Sequence, residues 1–340
     1  MISDYDDSCL LDYDLSSCIF DEYGLLVEEV IPHRSIYILK TDKGDKVFKK
    51  IANKEDIKFI NEAMDYIRKS FDNVLSYYTR KNGEIILEYN NNYYCIMNKE
   101  EGIECDYNNP VHILLTSKSL AKLHNASKGF TTNRVDKIGY GDILNKIIGY
   151  IYDLDMFYKL SYLNENEFSC IYRSNYEKHR NQAKKSLNIL IDSKYCDLSA
   201  DFNNIALIHH DLAHHNIIIK SEEAYFIDFD YAILDLKVHD ICNLINKTVK
   251  NFGFDIEKAK LIINEYNSIC KISQDELEVL YGMLYFPYDF YSISKDYFLR
   301  NKNWSNEMFI NRLNRKVGYY EDRGKFLEEF NNEILKVLKP

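Results

Sequence analysis

Glycine and proline are scarce in this chain, at 12 and 4 of 340 residues, and neither an internal repeat nor a low-complexity linker interrupts it. No apolar run reaches the ~18 residues that a bilayer-spanning helix needs, so no membrane span is expected. The eight cysteines are scattered, with no CxxC pair. In a chain this long they read as reduced, mostly buried thiols rather than as a disulfide framework or a zinc site. Basic charge is also short: 43 Lys and Arg against 53 Asp and Glu leave a net charge of -10. That balance argues against nonspecific binding to nucleic acid or to an anionic membrane. The opening MISDYDDSCLLDYDL has neither a basic n-region nor an apolar h-region, so no secretory signal is expected in it and synthesis is cytoplasmic.

What is present is an ordinary globular composition, 46% hydrophobic and 28% charged, in a chain long enough for two domains or lobes. Ile36–Lys40 is a strand-like run, TDKGD supplies a turn at Gly44, and KVFKKI returns as the second strand of a hairpin. Apolar residues at Ile57, Ile60, Met64 and Ile67 give KEDIKFINEAMDYIRKSF the period of a helix. EIILEY and NYYCIM follow as strands joined across Asn90-Asn91-Asn92. Beyond them the pattern is mainly helical: VHILLTSKSLAKLHNASKGF, two helices within residues 131–200, IEKAKLIINEYNSI, and SQDELEVLYGMLYFP. In the last of these Ser273 and Glu276 are spaced as a capping box and Pro287 is the stop. DRGKFLEEFNNEILKVL closes the chain as an amphipathic helix. An antiparallel β start followed by a helical remainder makes the fold class α+β.

Residues 205–242 organise the rest. Ile205–Ile208, Ile217–Ile219 and Ala224–Ile227 are short β-branched runs, so the stretch reads strand–loop–strand–turn–strand, with polar residues displayed where strands end. Asp211 and Asn216 stand five apart on the loop, and Asp228 follows the hairpin directly. Such a set can aim one carboxylate at a hydroxyl while an amide oxygen and a second carboxylate hold magnesium, hard donors of the kind that ion prefers. Phosphoryl transfer needs that division, because its catalysis is mostly positioning and charge neutralisation. A competing reading takes the four histidines around Asp211 as transition-metal ligands. His124 is expected to be a hydrogen-bonded structural histidine, and Asp240 a structural acid near a helix N-terminus.

These segments resemble known ones. HHDLAHHN is similar to the catalytic loop of aminoglycoside phosphotransferase/choline kinase-like proteins, which reads HGD, four residues, N. FIDFD resembles their magnesium-binding segment, and Asp230 marks that branch. Within the superfamily, IDFDYAILDLKVHD and LYFPYDFYSISKDYF look most like the CotS-type spore coat proteins, and the resemblance runs from about Thr41 to Phe330. It implies a protein-kinase-like two-lobe fold. The N-lobe, residues 1–97, carries a small antiparallel sheet and one helix. The larger, mostly helical C-lobe, residues 98–340, holds the catalytic loop 205–230 and acceptor-site helices inserted at about 131–200.

The resemblance also distributes roles. Asp211 is the catalytic carboxylate, His209 braces its loop, and Asn216 and Asp228 are the magnesium ligands. Lys49 grips phosphate, with Lys50 as the alternative on the opposite strand face. Glu62, or else Asp65, pairs with that lysine from the N-lobe helix, and Met97 and Asn98 mark the hinge where backbone groups receive an adenine. His210 replaces the family's glycine, so the loop is expected to take a conformation open to non-glycine residues. No GxGxxG loop precedes the first hairpin, and VIPHRS occupies its place. The implied cofactors are ATP, or another nucleoside triphosphate, and Mg²⁺. The implied partners are a small-molecule or glycan acceptor and other spore coat proteins, with synthesis in the mother cell and deposition in the coat. Two functions follow: a kinase acting on a hydroxyl of a small molecule or coat glycan, or a kinase-fold structural component with little or no turnover.

Overall fold

Short β-branched runs closed by tight turns build the N-terminal sheet of the computed structural model, which describes residues 13–250 and 253–336. Most of the acidic start, Cys9 and the last residues of the C-terminal amphipathic helix lie outside the described residues. The described chain falls into two compact units. One comprises the residues up to Asp106 together with His214–Ala232; the other comprises Tyr107–Ala213 and the residues from Ile233 onward. Compactness thus groups the hairpin after Ala213 with the first sheet, whereas the lobes above are cut by chain position alone. The reason is backbone pairing. Strand Ile217–Lys220 takes Ile103–Glu104 as its neighbour, while Phe226 donates its N–H to Asn73 and accepts that of Leu75, both at 3.0 Å.

In the first unit the main sheet is antiparallel, ordered Val27–His33, Ile36–Thr41, Lys46–Ile51, Asn92–Asn98 and Tyr77–Tyr78, with Ile86–Tyr89 also paired to Asn92–Asn98. Its turns match their residues: Gly44 has φ +81, and Asn90 and Asn91 have φ +49 and +60, the two positive values of a hairpin turn that follows strand twist. Phe48 stacks on Tyr94 at 5.0 Å between ring centres, and Leu39, Ile96, Ile19 and Phe20 complete the core. The last two come from the helix Ser17–Tyr23, which the acidic start did not announce. The helix Lys54–Ile67 forms as its period requires, burying Ile57, Ile60, Met64 and Ile67, with the Asn53 side chain accepting the Glu55 N–H at 2.9 Å.

The second unit is helical around one short antiparallel pair, Ile205–Ile208 with Ile233–Leu236. The three runs read from the sequence therefore keep their order but not one sheet. The first pairs with Ile233–Leu236 here, and the other two pair with each other in the first unit. All four residues of Ile205–Ile208 are buried, and Pro110–Ser127 and Val238–Val249 bury Leu120, Leu123, Leu244 and Ile245 completely. Each such side chain contributes about 1.5–3 kcal/mol. The Ser273–Glu276 capping box is present in both directions. Gln274–Tyr285 ends just ahead of Pro287, and Tyr288–Phe298 begins after it. Among the described residues no two cysteines are joined by a disulfide, and no helix is long and apolar enough to cross a membrane.

Candidate active site

Strand alternation aims Lys49 away from the face that buries Phe48. Its ammonium donates to Asp228 Oδ1 at 2.9 Å and to Asp230 Oδ2 at 2.7 Å. Of the two strand lysines, it is Lys49 that meets the Asp-Phe-Asp segment. The lysine side chain is 17% exposed and the two carboxylates 47% and 45%. Burial disfavours the charged ammonium, but Asp228 and Asp230 outweigh it and push the Lys49 pKa above its ordinary value. The Asp230 carboxyl is raised, by burial and by the Asp228 charge, against the opposing pull of Lys49. Two carboxylates on one ammonium leave an excess of negative charge on exposed oxygens.

The hairpin sets this cluster at its open end. Phe226 registers against Ile217, and the Ile227 N–H donates to the Asn216 carbonyl at 3.0 Å, so Asn216 and Asp228 leave the same end of the ladder. Asp228 has φ +63, a left-handed backbone that Asp tolerates better than most residues. Asn216 is buried, and the Asp228 carboxylate is half exposed.

In the helical unit the loop 209–212 is held from one helix face. Asp240, Asn243 and Lys247 recur at i, i+3 and i+7 of Val238–Val249. Asp240 is completely buried and accepts the N–H groups of His209 at 2.6 Å and His210 at 2.8 Å. Asn243 accepts the Leu212 N–H at 3.1 Å and donates to the His210 carbonyl at 3.2 Å. Lys247 forms an ion pair with Asp211. The His209 ring accepts the Asp211 N–H through Nδ1 at 3.3 Å. Behind the loop, the His124 ring lies between the Tyr266 hydroxyl at 2.7 Å and Asp240 at 3.2 Å. Burial opposes ionisation of Asp240, but the His124 hydrogen bond, the His124 and His209 charges and the His209 N–H overcome it and hold the carboxyl below its ordinary range.

His210 corrects one expectation. The loop has not adopted a conformation suited to a side chain: φ at His210 is +66, the left-handed geometry that favours glycine. Strain of about 1–2 kcal/mol is offset by the bonds that Asp240 and Asn243 make to the same residue. Glu62 is exposed, and among the described residues the partners of Lys49 are Asp228 and Asp230; Asp65 pairs instead with Arg68 at 2.5 Å. Met97 and Asn98 end a central strand, but the Asn98 N–H and side-chain amide are both given to Ser76, at 3.0 and 2.8 Å. Nor do the four histidines make a metal centre, since no group of three His, Cys, Asp or Glu gathers as one among the described residues. The sequence reading missed Lys247 and Asn243. Their signal was the spacing Asp-x-x-Asn-x-x-x-Lys after the third run.

A β-sheet lysine bound to Asp-Phe-Asp, and a helix-braced Asp loop, are parts of a protein-kinase-like fold. The structure matches that of an aminoglycoside phosphotransferase from Alicyclobacillus acidocaldarius, with TM-score 0.84 at 16% identity, covering 96% of this chain and 98% of that one. A spectinomycin phosphotransferase solved with ADP and spectinomycin matches with TM-score 0.68 at 13% identity, over 91% and 97%. The chain belongs to the family described as "Spore coat putative kinase YutH", whose model matches residues 16–330. Spore coat protein S of Bacillus subtilis (strain 168) is 23% identical over 314 residues, 90% of this chain and 89% of that protein. The likeness to coat proteins read from IDFDYAILDLKVHD and LYFPYDFYSISKDYF is thus shown over nearly the whole chain, and the likeness to aminoglycoside kinases read from HHDLAHHN and FIDFD is shown in the fold.

Proposed function

We propose that the protein is an ATP- and Mg²⁺-dependent kinase of the spore coat, acting on a hydroxyl of a small molecule or coat glycan. The observation that carries this reading is the Lys49–Asp228–Asp230 cluster, an oxygen-rich site with surplus negative charge beside Asn216 on one hairpin. An amide oxygen and a half-exposed carboxylate, with no thiolate or imidazole among them, suit a hard divalent ion completed by phosphate oxygens. Asn216 and Asp228 would hold it. Magnesium, when bound, supplies neutralisation of the phosphate charge. Lys49 exchanges a carboxylate partner for a phosphate oxygen, and Met97 and Asn98 border the adenine. In the helical unit, Asp211 orients the acceptor hydroxyl and takes its proton. Lys247 pins the carboxylate, and His209 fixes the loop.

A specific observation favours the second reading, a coat scaffold without turnover. The turn in the place of a phosphate-covering loop is a tight hairpin corner at Arg34, φ +53, tied down by an Arg34–Glu104 ion pair at 2.7 Å. Thermal shift with ATP, with and without Mg²⁺, separates the two. The kinase reading expects a magnesium-dependent rise in melting temperature that Asp228→Asn removes without unfolding the protein. No rise for wild type at millimolar ATP leaves the scaffold. Spore fractionation tests the location: recovery only from vegetative cytosol removes the coat from either reading.

A further inference from the structure

The helical unit encloses a cavity of about 560 Å³ whose lining includes His210, Asn243 and Lys247, the residues that border and brace the Asp211 loop. Other walls come from Ile143–Leu163, Glu167–Asp192 and Tyr288–Phe298. Its charge is opposite to that of the chain. Lys146, Lys247, Lys250, Lys295, Lys316 and Arg323 line it, and Asp289 is the one acid among the described lining residues. The carboxylates near these cations do not balance them. Asp142 serves Lys146 at 3.4 Å and Asp211 serves Lys247, while Asp289 is shared by Lys316 at 3.0 Å and Lys250 at 3.7 Å.

Six cations therefore face three paired carboxylates, with a fourth, Asp153, taken up in accepting the Tyr291 hydroxyl at 2.7 Å, in a protein of net charge -10. Arg323 donates to neutral oxygens, those of Gln182 at 3.2 Å and of the Phe286 carbonyl at 2.8 Å. Lys295 stands 5.7 Å over the Tyr291 ring. The imbalance is felt by the groups themselves. Burial, reinforced by the Lys250 charge, depresses the Lys316 ammonium despite Asp289, and burial likewise lowers Arg323. Tyr150 and Tyr291 pack on each other in the cavity wall, with ring centres 4.4 Å apart.

We infer that the acceptor is itself an anion: a sugar or polyol bearing a carboxylate or phosphate, its acid group set against Lys295, Lys316 and Arg323 and a hydroxyl at the Lys247 end. This rests on the kinase reading for the word acceptor, but the cavity's preference for acidic sugars stands apart from turnover. A polycationic acceptor meets repulsion from the same side chains, which is how a site discriminates between substrates of one size.

The test is calorimetric titration of the full chain at low salt with glucuronate, glucose 6-phosphate, glucose, glucosamine and inorganic phosphate. At least one acidic sugar is expected to bind about tenfold or more tightly than glucose and than phosphate alone, glucosamine more weakly than glucose, and added salt to weaken the acidic sugar. Whether glucuronate or glucose 6-phosphate wins distinguishes carboxylate from phosphate. Lys295→Glu, at a partly exposed helix position, should weaken the acidic sugar about tenfold while keeping the Mg-ATP thermal shift. The inference is overturned if glucose or glucosamine binds as well as the acidic sugars, if neither acidic sugar binds at millimolar concentration, or if Lys295→Glu leaves their binding unchanged. Loss of the Mg-ATP shift in that variant also overturns it, by assigning the cavity to nucleotide phosphates. Acidic-sugar binding by a wild type that shows no Mg-ATP shift would instead remove the kinase reading and leave the cavity as an acid-binding site.

Discussion

Asp228 and Asp230, in the sheet-bearing unit, share one ammonium and remain 47% and 45% exposed, whereas Asp240, in the helical unit, is fully buried and accepts two backbone N–H groups and one imidazole. The first pair keeps charge in reserve where water and ions reach it. The second spends its charge on fixing a loop. Hydrogen bonds to a buried carboxylate contribute about 1.5–3 kcal/mol each, and their loss strands the donors as well. The contrast shows how one chain can keep exposed, exchangeable carboxylates and a firmly held loop with the same residue type. Burial and the number of fixed donors decide which role an aspartate has.

The comparison can be broken at four points. The largest effect belongs to Asp211, which the loop presents and Lys247 pairs. Asp211→Asn should lower phosphoryl transfer or slow ATP hydrolysis by about 10²–10⁴-fold and spare Mg-ATP binding, read by single-turnover assay and thermal shift. Equal loss of binding would mean that the loop does not act apart from the metal site. Asp240→Ala should cost about 3–5 kcal/mol in urea unfolding, because the buried N–H groups of His209 and His210 lose their acceptor. Asp228→Ala, at the exposed cluster, should cost far less, and a similar cost for both would erase the distinction.

Acid should test the helical unit next. His179 is buried against Phe290, with ring centres 3.9 Å apart, and burial lowers its pKa from 6.5 to about 4. A histidine kept neutral in the folded state contributes stability that is fully present above pH 6.5 and is lost as pH falls from there toward 4. The loss amounts to about 3 kcal/mol at the lower end. His179→Gln should flatten that part of the stability profile; an unchanged slope would place the acid sensitivity elsewhere. The smallest effect lies at the strained residue. His210→Gly should be about 1 kcal/mol more stable than His210→Ala, since only the former accepts φ +66 without cost. Equal melting temperatures for the two would show that the loop relaxes once the ring is gone.

By itself the sequence determined whatever is settled over a turn or two of chain. The period of Ile57, Ile60, Met64 and Ile67 sufficed for a helix, Ser273 and Glu276 for its cap, and the Asn90-Asn91 pair for a hairpin, because each depends on neighbours a few residues away. The family pattern in HHDLAHHN and FIDFD likewise marked the site segments. Only the tertiary structure decided that Lys49 meets Asp228, 179 residues on, rather than the helix acid Glu62. It alone placed Ile205–Ile208 beside Ile233–Leu236, kept a left-handed backbone under His210, and brought Lys247 to Asp211. In these cases the local chain permits several answers of similar energy. The choice falls to long-range pairing, to the cost of leaving a buried donor or charge alone, and to which charges end up lining one cavity.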